Sequence, residues 1–126
     1  MARRRITPAD GRAAVEAWAG ADQPDRRTTA TAVRFLLEEL AERAPGNSVE
    51  VRVPPFGVTQ CVEGPAHTRG TPPNVVELAP VVWLDLATGH QQWQEALAAG
   101  NISASGVRAD LSDHLPLMRV EAAEGP

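Results

Sequence analysis

One thiol, three imidazoles and one close pair of carboxylates are the side chains here that could do chemistry: Cys61, His67, His90, His114, Asp110 and Asp113. A cysteine beside a histidine can act as an activated nucleophile. Cys61, however, lies in the middle of a strand-like stretch, where no neighbour in sequence would favour a thiolate. Metal sites usually show a close ligand pair, such as C-x-x-C or two histidines four apart. The three histidines stand 23 and 24 residues apart with no local pair, so neither a metal nor another cofactor is expected. Asp110 and Asp113 share a helix face, as an acid–base pair would. Capping and the helix dipole account for them without catalysis. Gly100 and Gly106 match neither G-x-G-x-x-G nor a loop closed by G-K-[ST], and no G-x-S-x-G surrounds Ser103 or Ser105. No catalytic residue is therefore assigned, and the chain is expected not to be an enzyme.

The composition points the same way. The 126 residues make one domain over 1–126, with 1–6 and 121–126 expected to be flexible. A net charge of −4 gives no reason to expect a nucleic-acid partner. The one basic cluster, Arg3–Arg5, reads as a solvated end. All basic side chains are Arg and none is Lys, a bias of GC-rich, bacterial coding. The single cysteine excludes an internal disulfide and suits a reducing compartment. No apolar run is long enough to span a membrane, and no signal core follows the N-terminal arginines. A cytoplasmic location is expected.

The positioning elements follow from periodicity. Thr7-Pro8-Ala9-Asp10 reads as a helix start, and Gly20 as its stop. Residues 28–44 carry the clearest helical signal: Val33, Leu36, Leu37, Leu40 and Ala41 recur at helical spacing opposite a wet face of Glu38, Glu39, Glu42 and Arg43. Val49–Val53 alternates as a half-buried strand. After Pro54-Pro55, residues 56–63 read as a second strand, with Phe56, Val58, Gln60 and Val62 on one face. Residues 64–73 form a Gly/Pro-rich loop. Asn74–Ala79 is a third strand. Val81–Ala87, apolar except for Asp85, reads as an inner fourth strand. Thr88 is the candidate cap of a helix over 90–99, and Gly100 its left-handed stop. Residues 101–105 form a fifth strand, and a last helix of about ten residues carries Leu111, Leu115 and Met118. Four strands in succession imply hairpins, so the expectation is an α+β domain whose sheet is largely antiparallel. Its apolar surface, rich in Trp83, Trp93, Phe35 and Phe56, forms either an ordinary core or one that leaves room for an apolar ligand.

"VVWLDLATGHQQWQEALAAGNISASG" (residues 81–106), followed by "DLSDHLPL" (110–117), resembles the sterol carrier protein type 2-like family in its short bacterial branch. "RGTPPNVVEL" (69–78) is similar to the loop and strand that precede this stretch in related bacterial proteins. The resemblance runs over about 100 residues, from the second helix onward, and rests on structural punctuation rather than a catalytic signature. It implies a five-stranded mixed sheet with helices packed on one face. It also implies a hydrophobic tunnel for fatty acyl chains, sterols or other lipids, hence a carrier-like role. By position, the tunnel wall would be Val33, Leu36, Leu37, Leu40, Phe56, Val58, Trp83, Trp93, Leu97, Ile102, Leu115, Leu117 and Met118. The family has no catalytic residues to transfer. Two departures stand out. The chain ends Glu124-Gly125-Pro126 where eukaryotic members end in a peroxisomal tripeptide. The connection at Gly100-Asn101, before the last strand, is also shorter. The same module is similar to the C-terminal domain of mycothiol-dependent maleylpyruvate isomerase-like proteins, without their metal-ligating helical bundle. That line implies the alternative: an accessory interaction or scaffold module without a lipid, acting through a protein partner or as a homodimer.

Overall fold

The Thr7 side chain accepts a hydrogen bond from the Asp10 amide, and Pro8 occupies the first turn, so α1 runs Pro8–Gly20 as the sequence predicts. This is a computed structural model, which describes residues 5–64 and 74–120. The expected loop over 64–73 falls, apart from Gly64, outside the described residues, as do most of the two expected flexible ends.

α2, Arg26–Arg43, starts two residues earlier than its apolar periodicity indicates. Asp25 caps it by accepting the Thr28 amide at 2.7 Å, and these hydrogen bonds hold the Asp25 carboxyl below its ordinary value. α2 buries Val33, Phe35, Leu36, Leu37 and Leu40. The apolar stripe is wide enough to meet α1 on one side and the sheet on the other. Gly11 of α1 makes the first meeting close: a Cβ there would fall 2.1 Å from the Phe35 ring.

β1 (Val49–Val53) and β2 (Gly57–Cys61) form an antiparallel pair turned at Pro54–Pro55. β3 (Asn74–Leu78) lies parallel to β1 on its other side, and β4 (Ile102–Ser105) closes the order β2-β1-β3-β4. The sheet is mixed, as expected, but the described residues give it four strands and not five. The missing strand is residues 81–87. These form a helix, α3 (Pro80–Ala87), with Pro80 in its first turn. A short, continuous apolar run fits a buried helix as well as a buried strand. Here the proline opens a helix, because its fixed φ and missing N–H suit that position. Trp83, Leu84, Leu86 and Ala87 are buried in α3 and Val81 faces solvent.

Two further elements are shorter than expected. α4 covers Trp93–Ala98 and begins with a reciprocal cap between Gln92 and Glu95, not at Thr88. Thr88 is buried and donates its hydroxyl to the Leu84 carbonyl at 2.6 Å. Gly100 ends α4 at φ +78°, the left-handed residue its position predicts. The closing helix reduces to a 3-10 turn at Ser112–His114, with Pro116 preventing continuation. The segment after it is extended, and Leu117 and Met118 donate their amides to the Ala87 carbonyl. The core lies between α2, α3 and one face of the sheet, and includes Leu36, Leu40, Val51, Val76, Trp83 and Leu111. Glu50, Arg52 and Glu77 occupy the opposite face, where Arg52 pairs with Glu50 at 2.6 Å.

Candidate functional site

The wall residues named from sequence separate into three groups. Val33, Leu36, Leu40 and Trp83 have no exposed surface at all, and Leu37, Ile102 and Leu117 are buried beside them in one continuous core. A side chain with zero accessible area borders no void that would admit a water-sized sphere. The Trp83 indole also donates to the Val33 carbonyl at 3.3 Å, tying α3 to α2 through the middle of this packing. Phe56, Leu115 and Met118 are partly buried against the core, as Trp93 is more fully. Val58 and Leu97 are 59% and 40% exposed.

Val58 marks a correction. Register pairs Val51 with Thr59 and Arg52 with Val58, so β2 turns Gly57, Thr59 and Cys61 inward and Val58 outward. Alternation alone fits either face. The decisive factor is distance: α2 passes so near that a Cβ on Gly57 would lie 3.0 Å from the Leu37 Cδ1. At Gly57 a larger side chain would press on Leu37.

That close approach leaves a groove along the seam between α2 and β2, of ≈ 360 Å³, lined by Arg5, Arg34, Leu37, Glu38, Phe56, Gly57, Val58 and Thr59. Its volume lies within the range of about 300–1,000 Å³ usual for ligand sites. It brings together three residues named from sequence: Leu37, Phe56 and Val58. The charged members of the groove carry no such signal. Glu38 is read from sequence as an ordinary wet-face residue, and Arg34 draws no reading at all. In the structure the Arg34 Nε donates to the Phe56 carbonyl at 2.7 Å, fastening the start of β2 to α2. The Arg26 guanidinium stands 5.0 Å from the centre of the Phe56 ring, within cation–π range. The Glu38 carboxylate accepts from the Arg5 and Ile6 amides at 3.2–3.3 Å and so holds the N-terminal segment at the groove. The same stretch of β2 faces a shallower hollow of ≈ 420 Å³ on its other side, among Arg52, Pro54, Pro55 and Glu77.

Trp93 and Leu115 share a separate cleft with Leu86, Pro116 and Arg119, of ≈ 120 Å³. That is below the volume of a usual ligand site. Met118 lines a hollow against Phe35 and Pro8, away from both.

The groups with chemical potential are dispersed. Burial pushes the Cys61 thiol up to about 12, which keeps it protonated and unreactive at neutral pH. Hydrogen bonding from the Ser112 side chain, and then from its amide at 2.9 Å, lowers the Asp110 carboxyl below its ordinary value. Burial raises the Asp85 carboxyl. His90 bridges the Thr88 hydroxyl and the Val120 carbonyl at 2.9 and 3.0 Å. His67 lies outside the described residues. Among the described residues, no three His, Cys, Asp or Glu side chains converge as metal ligands would, and no helix is long and apolar enough to cross a membrane.

Comparison with known proteins identifies the family. The model of the bacterial sterol carrier protein ortholog family matches residues 25–117, from the cap of α2 to Leu117, and the chain belongs to that family. No curated protein matches the chain. The matched stretch contains every element described above except α1.

Proposed function

We propose that this protein binds an apolar ligand without transforming it, in a carrier-like role, and that the ligand lies in the α2–β2 groove. Membership of the sterol carrier protein ortholog family carries the reading. The groove supports it: Phe56 and the edge of Leu37 give it apolar lining, with Val58 at its outer rim on β2, beside a space large enough for an acyl chain's worth of carbon. Each ligand CH₂ removed from water there would contribute about 0.8 kcal/mol. The protonated thiol of Cys61 supports a role in binding over one in turnover.

Displacement of a fluorescent fatty acid, with native mass spectrometry of the complex, tests this. A one-to-one complex at micromolar concentration is expected, weakened by Phe56→Ser. Absence of any complex below millimolar ligand would refute the reading. The scaffold alternative would then gain support, because β2 and β4 are the edge strands of the sheet among the described residues.

A further inference from the structure

Three hydrogen-bond contacts in a row fasten the C-terminal segment to α3, and their protons can be counted. The Leu84 and Val120 carbonyls only accept. The Thr88 hydroxyl stands 2.6 Å from the Leu84 carbonyl, and its single proton is taken by that contact. His90 Nδ1 lies 2.9 Å from the same hydroxyl oxygen, so this second contact needs a proton from the ring. His90 Nε2 lies 3.0 Å from the Val120 carbonyl, so the third contact needs another. A neutral imidazole carries one N–H and the imidazolium carries two. Only the imidazolium satisfies all three contacts.

We infer that His90 is a pH-sensitive latch: with both ring nitrogens protonated it holds residues 118–120 against α3 as a strap, and loss of one ring proton frees the Val120 end. In the neutral ring one of the two contacts must set lone pair against lone pair. Thr88 is buried, whereas His90 is exposed. Water can replace the ring's contact with Val120 but not its contact with Thr88, so the Val120 bond is the one given up. The inner end of the strap does not depend on this proton, because the Leu117 and Met118 amides donate to the Ala87 carbonyl and Leu117 is buried. Leu117 is therefore the hinge. Beyond it, Met118 and Val120 pack in part against the core, and Met118 closes a hollow of ≈ 240 Å³ beside Pro8 and Phe35. Release opens that hollow and leaves the core intact. The latch is closed in acid and open in alkali, and imidazole ordinarily exchanges its proton between about pH 5 and 8. The charges around the ring come from each neighbouring element. On α3 the Asp85 carboxyl interacts with His90 and favours the imidazolium, and the Asp85 carbonyl accepts the His90 amide. On the strap itself Arg119 lies against Gly89 and opposes the imidazolium. On α4 Glu95 is committed to the Gln92 amide. In the 3-10 turn Asp113 and His114 follow Ser112, which lines the same cleft as Gly89 and Arg119.

NMR of the full chain tests this, with ring nitrogen shifts reporting the protons on His90 and backbone relaxation reporting the order of the strap. At about pH 5 both ring nitrogens of His90 should be protonated and Val120 should be as ordered as Leu117. Raised to about pH 8, the chain should lose order at Arg119 and Val120, with the midpoint of the His90 ring, while Leu117 is unchanged. His90→Ala should leave the strap loose at both pH values. Thr88→Val should keep it ordered at both, because a neutral ring facing a methyl can place its one proton on Nε2 and still hold Val120. His114→Gln should change nothing. Circular dichroism identifies any variant that fails to fold; should Thr88→Val do so, the wild-type titration and His90→Ala decide. An ordered strap beside a neutral His90 overturns the inference. So does a loosening that follows the titration of His114 or His67, or one that survives in His90→Ala.

Discussion

With neither lysine nor tyrosine in the chain, Cys61 is the side chain expected to dominate the alkaline limb of the stability curve. Burial moves the Cys61 thiol from 9.0 to about 12 in the folded protein. Above pH 9 the unfolded chain loses this proton and the folded chain keeps it, so the unfolded state binds fewer protons and stability falls as pH rises. The contribution is complete below pH 9 and lost progressively towards 12. Between pH 8 and 10 the decline should be about 1.4 kcal/mol. Urea midpoints across this range measure it. Cys61→Ala should start from a lower stability and lack the decline; an unchanged slope in that variant would place the titrating group elsewhere. Before the structure, Cys61 could be read only as an unremarkable strand residue. What buries it is the register Val49 to Cys61, which no local signal specifies.

The elements divide according to how local their causes are. α1, α2, β1, β3 and the Gly100 stop were legible in the sequence because each is set by a cap, a strict period or a required left-handed residue within a few positions. α3 was not legible. Pro80-Val81-Val82-Trp83-Leu84 satisfies both a buried strand and a buried helix, and the choice depends on the surface that receives Trp83. The face of β2 was hidden for a similar reason, since α2's approach at Gly57 is a tertiary fact. Around the groove, sequence named the apolar members Leu37, Phe56 and Val58 but assigned no role there to Arg34, Glu38 or Arg26, whose roles come from hydrogen bonds and, for Arg26, a cation–π contact between distant elements. The same contrast between local and tertiary causes gives a test at the α1–α2 contact. By helix propensity alone, Gly11→Ala should stabilise α1 by about 1 kcal/mol. The Phe35 ring, 2.1 Å from the new methyl and itself buried, opposes this. Overpacking of this kind costs about 1–3 kcal/mol, so a net loss is expected. Gly20→Ala, where the methyl would meet nothing within 4 Å, is the matched control and should be neutral or stabilising. Urea unfolding of the two variants gives opposite signs if contact, not propensity, decides at Gly11.

Over the whole molecule, the location of the ligand sets how binding proceeds in time. The interior beneath α2 is filled: Val33, Leu36, Leu40 and Trp83 expose nothing, and the Trp83–Val33 hydrogen bond links α3 to α2 through it. A chain inserted there would require α2 to lift from the strands, breaking helix–sheet packing before any ligand contact forms. The seam groove needs no such opening, because Phe56, Val58 and Arg34 already face solvent in part or in full. The two routes differ in kinetics. Binding in the groove should show an observed rate that rises linearly with ligand, with a bimolecular constant of roughly 10⁵–10⁷ M⁻¹s⁻¹. Binding in the interior should reach a plateau at the opening rate, since a scarce open state then limits every encounter. Trp83 provides a second readout, because it lies in the core and does not line the groove. In a chain carrying Trp18→Phe and Trp93→Phe, Trp83 emission should stay constant through a stopped-flow titration with laurate while a groove-bound probe is displaced. A rate plateau accompanied by a change in Trp83 emission would move the ligand into the interior, and the closed core would then be one state of a domain that opens to load.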